Sequence, residues 1–113
     1  MDEQMFDARA DAMLARIEVA LENCSADFDY EFLAGGVIEL EFAHAGGSKI
    51  IINRHSAAQE IWVAAKSGGY HFRPESGSAT PDRWVGTRDG VELMERLSQC
   101  MTEQVGEAVE LSA

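Results

Sequence analysis

IIINRHSAAQEIWVAAKSGGYHF, residues 50–72, is the stretch from which the fold is read. Two runs of β-type residues, 49–53 and 60–65, flank a short polar connection, and Gly68-Gly69 leads into a third run over 70–72. Side chains alternate between the two faces of a strand, so Ile61, Val63 and Ala65 share one face while Glu60, Trp62 and Ala64 share the other. With the aliphatic face turned to the core, Trp62 stands on the outside of the sheet. A large aromatic side chain there suits a surface that meets a partner, unless a loop or a chain terminus covers it.

Working toward the N-terminus, residues 27–32 alternate strictly, with Phe28, Tyr30 and Phe32 against Asp27, Asp29 and Glu31. Aromatics inward and acids outward describe a strand at or near a sheet edge, where charge discourages pairing with another chain. Gly35-Gly36 turns the chain into a second strand, in which Ile38, Leu40 and Phe42 alternate with Glu39 and Glu41, and Gly46-Gly47 turns it again. Residues 3–23 read as an amphipathic helix whose apolar stripe is Phe6, Ala10, Met13, Leu14, Ile17 and Leu21. Toward the C-terminus, residues 73–81 are rich in Gly, Pro, Ser and Thr and read as a loop, and 83–85 as one more short strand anchored by Trp84. Asp89 then caps a second helix, with Glu92 as its return partner and Val91, Met94, Leu97, Met101 and Val105 on its buried face as far as Gly106. The expected fold is α+β, a two-layer sandwich forming a single domain over 1–113. An antiparallel five- to six-stranded sheet carries the N- and C-terminal helices on one face, leaving the Trp62 face open.

Acidic residues form the second theme. At about 100° per residue, Asp7, Asp11, Glu18 and Glu22 fall within about 60° of one another on the first helix, with Arg9 and Arg16 well round from them. Like charges at this spacing oppose helix formation by a few tenths of a kcal/mol per pair. The short connection 23–26 places Asp27, Asp29 and Glu31 nearby, which makes a ridge of up to seven carboxylates without a matching set of bases. Carboxylate oxygens suit hard cations such as Mg²⁺, Ca²⁺, Mn²⁺ and iron, and a bound cation relieves the repulsion. An open array cannot enclose an ion, so affinity is expected to be weak. The same residues also read as a solvated acidic face.

Composition narrows the classes. Twenty acidic residues against nine basic ones give a formal charge of −11 over 113 residues, which repels nucleic acid and anionic membranes and favours cations or a basic protein surface. Cys24 and Cys100 are the two cysteines, too far apart in sequence to suggest a zinc site or a disulfide framework, and Cys100 reads as buried and inert. His44, His55 and His71 have no partner at a spacing diagnostic of metal binding. No GxSxG, P-loop, dinucleotide or HExxH motif occurs, and the acid pairs lie on convex surfaces rather than in a cleft. The acidic start MDEQMFDARAD does not resemble a targeting peptide, and no apolar run approaches the roughly 18–20 residues of a membrane span. A reducing cytoplasm is the expected setting.

Asn53-Arg54, then Ile61-Trp62-Val63-Ala64, then Gly68-Gly69-Tyr70-His71-Phe72 resembles the core signature of the frataxin family in its bacterial CyaY-type form, and the likeness runs along nearly the whole chain. Departures are Glu60 where the family usually has Gln, Ala57 where Pro is common, and His55 in place of Gln. The resemblance implies an iron-binding accessory or regulatory protein of iron–sulfur cluster assembly, not itself an enzyme. Weakly held Fe²⁺ or Fe³⁺, or another divalent cation, would sit on the acidic ridge. Glu18, Glu22, Asp27, Asp29 and Glu31 match acidic positions of the family's ridge, whereas Val19 and Asn23 fall where acids are frequent. It also implies docking of the ridge and of the open face, Asn53, Arg54, Glu60 and Trp62, on a cysteine desulfurase of the assembly machinery, by a protein monomeric at low metal. Iron oxidation is a further activity suggested by family analogy alone. The contrasting expectation is a protein-interaction module whose acidity serves only solubility and steering.

Overall fold

The computed structural model describes residues 1–75 and 82–112 of the chain. Helix α1 (Glu3–Glu22) is followed by β1 (Asp29–Leu33), β2 (Val37–Phe42), a 3-10 turn (His44–Gly46), β3 (Ser48–His55), β4 (Glu60–Ala65), β5 (Gly68–Pro74), β6 (Trp84–Gly86) and α2 (Leu93–Val105). Each strand pairs antiparallel with the next, giving a six-stranded meander. The fold is the expected α+β sandwich.

Alternation places Ile38 and Leu40, Ile50 and Ile52, Ile61 and Val63, Phe72 and Trp84 on one side of the sheet. All are buried there in a single cluster with Phe6, Met13, Ile17 and Leu21 of α1 and Leu93, Leu97 and Met101 of α2. Phe6 and Trp84 meet edge to face at 5.9 Å. Burying each large side chain is worth about 1.5–3 kcal/mol, and a one-residue slip would turn a whole strand's set to water, so the register is firmly held. Gln104 is the buried polar member of α2: it donates to the Ser48 hydroxyl at 2.9 Å and the Lys49 carbonyl at 3.1 Å, and accepts from the Lys66 N–H at 3.0 Å. The C-terminal segment is fastened along α2, where Thr102 Oγ1 accepts from Val109 N–H and Ser98 Oγ from Leu111 N–H, with both apolar side chains buried.

Several boundaries differ from the sequence expectation. β1 begins at Asp29, and Phe28 instead stacks on Phe42 at 6.0 Å; Phe32, expected inward, is exposed near the end of this edge strand. Gly68 and Gly69 belong to β5, and the turn is made by residues 66 and 67, with Ala65 opposite Gly68. Residues 73 and 74, expected in a loop, continue β5 and pair with β6, while 76–81 of that loop lie outside the described residues. The cap of α2 is Glu92 rather than Asp89. A bridge from Val85 keeps Glu92 extended, and its carboxylate accepts from Met94 N–H at 3.0 Å and Glu95 N–H at 3.2 Å. Asp89 serves the preceding turn instead, accepting from Val91 N–H at 3.1 Å and binding Arg96 at 2.6 Å.

Candidate functional site

Arg54 divides the acids of α1. Its register partner is Ile61, so it faces the helices rather than the open side of the sheet expected for it. Its Nη1 donates to Asp11 at 2.5 Å and its Nε lies 3.5 Å from Asp7, which also accepts from the Ser56 hydroxyl at 2.6 Å. Asp7 and Asp11 therefore have a base of their own, contrary to the expectation of seven unmatched carboxylates. Glu18, Glu22, Asp27, Asp29 and Glu31 have no ion-pair partner among the described residues. Glu18 and Glu22 lie on the helix side of β1: partial burial raises the Tyr30 phenol above its ordinary value, and the charges of Glu22 and Glu18 raise it further.

Asp29 and Glu31 point the other way. In the β1–β2 register Asp29 faces Glu41 and Glu31 faces Glu39, two like-charge pairs directly opposite each other. These four carboxylates rim a shallow hollow of about 270 Å³ with Tyr30. Lys49 partly neutralises them, lying 3.1 Å from Glu39 and 3.5 Å from Glu41, and those contacts hold its ammonium above its ordinary range, the hydrogen bond to Glu39 first. Glu39 and Glu41 are legible in the sequence as outward residues of β2, and it is the β1–β2 register that joins them to Asp29 and Glu31. Among the described residues, no three His, Cys, Asp or Glu side chains converge on a common metal position. The arrangement is two patches of carboxylate oxygen flanking β1, suited to loose attraction of a hard cation rather than to enclosure.

The open face carries a different group. Asn53 sits opposite Trp62 and His71 opposite Trp62 on the other side, while His55 sits opposite Glu60. Trp62 is not bare: it is half-buried between two imidazoles, His55 at 3.9 Å and 16° from parallel and His71 at 4.4 Å and 8°. Glu60, only 7% exposed, organises the group. One oxygen accepts from Trp62 Nε1 at 2.7 Å and the other from Arg73 Nε at 2.9 Å, while His71 Nδ1 lies 3.4 Å away. Glu60, Trp62 and Asn53 thus meet as expected; Arg54 does not join them, and His55, His71 and Arg73 do. The two-residue turn at 66–67 sets the β4–β5 register, and that was the signal for His71. Of the cysteines, Cys24 is half-buried just beyond α1 and Cys100 is buried, its thiol pushed up chiefly by desolvation.

A family profile described as a frataxin-like domain matches residues 1–107. An "Iron-sulfur cluster assembly protein CyaY" of Dechloromonas aromatica is 54% identical over 111 residues, covering 98% of this chain and 99% of that protein. The protein of the same name in Paraburkholderia phymatum is 45% identical over 112 residues, covering 99% of each. Among solved structures, a frataxin from Psychromonas ingrahamii, studied for stability modulation within the CyaY protein family, superposes with a TM-score of 0.82 at 29% identity over 100% of both chains.

Proposed function

Because this chain belongs to the frataxin family, we propose that it is an accessory protein of iron–sulfur cluster assembly that carries iron weakly on its acidic edge and docks on a cysteine desulfurase. The relatives named above are iron–sulfur cluster assembly proteins, and the chain matches them end to end. The observation that carries the reading is the set Glu18, Glu22, Asp27, Asp29 and Glu31, left without basic partners among the described residues while Asp7 and Asp11 are bound by Arg54. Such oxygens attract Fe²⁺ or Fe³⁺ with few ligands each, so the ion is held loosely and released readily as cargo. The same charge steers the protein to a basic patch on the desulfurase, and the Trp62 face supplies the specific contact. The protein acts in a cytoplasm, as a monomer at low metal, and modulates assembly without making bonds itself.

Titrating Fe²⁺, or Co²⁺ as a surrogate, is expected to broaden NMR signals of residues 18–31 first; broadening confined to the three histidines overturns the assignment. A second reading, in which the acids only steer, is favoured by the lack of a converging ligand set among the described residues. It predicts metal-independent thermal stability together with loss of desulfurase capture in Trp62→Ala. Capture that weakens as salt rises supports steering in either case.

A further inference from the structure

We infer that the His55–Trp62–His71 stack is a pH-gated contact: the open face accepts a basic partner surface while both imidazoles are neutral, and releases it when they are protonated. The inference rests on the docking reading above and specifies how that site is regulated. Both faces of the indole are occupied by imidazoles at 3.9 and 4.4 Å, so whatever meets Trp62 also meets the two histidines. Histidine is the side chain whose charge changes between about pH 5 and 8.

Charges around the stack come from several elements. Glu60 of β4 is matched by Arg73 of β5. A hollow of about 250 Å³ beside His71 is lined by Arg88, Asp89 and Arg96 from the β6–α2 region, and there Arg96 pairs with Asp89. Arg88 has no ion-pair partner among the described residues. On β3, Asn53 is neutral and Arg54 is turned to α1; beside His55, Ser56 holds Asp7 of α1. Elsewhere on the same face lie Asp29, Glu31, Glu39 and Glu41, partly offset by Lys49. With neutral imidazoles the acids dominate, which suits a basic partner. Protonation adds two positive charges at the centre of the contact, where they oppose it.

Protonation also alters the geometry, differently for each ring. His55 Nδ1 accepts from the Ala58 N–H at 3.3 Å, which places the proton of the neutral ring on Nε2. An imidazolium has no acceptor, so two N–H groups then face each other, and the β3–β4 turn, which already holds Gln59 at φ 55°, loses that tether. His71 Nδ1 lies 3.4 Å from the Glu60 oxygen that accepts from the indole. When charged, it competes with Trp62 for that oxygen. One ring is let go and the other drawn in, and the indole edge between them shifts.

The test measures binding of the full chain to a cysteine desulfurase at about pH 8 and about pH 5.5 at fixed ionic strength, for wild type, His55→Gln/His71→Gln and Trp62→Ala. Wild type should lose at least about threefold more affinity than the double variant between the two conditions, the order that exposed charge pairs carry. Comparing the two proteins cancels titration of the partner. Equal losses overturn the gating and leave the docking reading standing, whereas no binding at about pH 8, or binding by Trp62→Ala equal to wild type, overturns both. Independently of any partner, the Trp62 indole N–H resonance should move between the two conditions in wild type and stay in the double variant. A resonance that is stationary in wild type, or moves equally in both, overturns the gate. The same spectra report whether the double variant is folded, and His71→Gln alone serves if it is not.

Discussion

Replacing Arg54 by Ala separates the role its position in sequence suggests from the one its register gives it. The guanidinium reaches α1, binding Asp11 at 2.5 Å and lying 3.5 Å from Asp7, and its stem covers Gly36, where an added Cβ would meet Arg54 Cβ at 3.0 Å. Asp11 is 57% exposed, so that pair contributes about 0.3–0.5 kcal/mol after screening, and the less exposed Asp7 pair about 0.5–1. Loss of the stem's packing adds a few tenths. Arg54→Ala should therefore cost about 1–2 kcal/mol, lowering the melting temperature by roughly 4–10 °C. More than half of the loss comes from charge, so it should shrink when urea denaturation followed by circular dichroism is repeated in about 1 M salt, where screening is within about 3 Å. Desulfurase capture should survive, because the open face keeps Trp62, Glu60 and Asn53. Unchanged stability, a loss indifferent to salt, or abolished capture in a folded variant each refutes the assignment of Arg54 to the helix side.

Gln104→Leu removes the partners of the Lys66 N–H, the Lys49 carbonyl and the Ser48 hydroxyl, and should destabilise by about 2–4 kcal/mol in thermal denaturation; a loss below about 1 would mean that α2 is not tied through these bonds. Glu60→Gln keeps an acceptor for the indole and gives up the charge facing Arg73, so stability should change by less than about 1 kcal/mol, whereas Glu60→Ala orphans the Trp62 N–H at about 1–3; the reverse order in urea titrations refutes the hub. The Val91 N–H, against opposing desolvation and with help from Arg96, holds the Asp89 carboxyl below its usual range. Its stabilisation is thus complete above the unfolded value of about 3.9 and disappears as pH falls through the lower folded value, so Asp89→Asn should flatten the acid limb below about pH 4, and superimposable limbs count against it. Because desolvation outweighs the lowering effects of Ser67 and Arg96 on the Cys100 thiol, iodoacetamide at about pH 8 should label Cys24 and spare Cys100 in the folded protein; equal rates by mass spectrometry contradict the burial.

The sequence made the two-layer plan readable because its alternations were long and its breaks were glycines. Ile61-Trp62-Val63 alone orients β4, and Phe6 to Leu21 orients α1. The misreadings came where a pairing partner, rather than a local pattern, decides. Arg54 reads as a neighbour of Asn53, but successive residues face opposite sides of a strand, and only the register with Ile61 turns it to α1. Asp89 satisfies the spacing of a capping box, yet the Val85 bridge keeps Glu92 extended and starts the helix there. Asp7 and Asp11 lie on the same helix stripe as Glu18 and Glu22, and no helix projection reveals that Arg54, far along the chain, stands beside only one end of it. The histidines of the stack are silent individually and become a group only when three strands are placed side by side.

The half-buried Cys24 follows the last acid of α1 by two residues and precedes Asp27 by three. If Fe²⁺ is held on those carboxylates as proposed, its oxidation by oxygen yields peroxide there, and Cys24 is the less shielded of the two thiols, since Cys100 is buried. Sulfenic or sulfinic acid would then accumulate at Cys24 and spare Cys100, leaving a chemical trace of iron carried by the chain. The ratio of the two oxidised peptides, read on protein recovered from cells, reports the extent of that oxidation without any added probe.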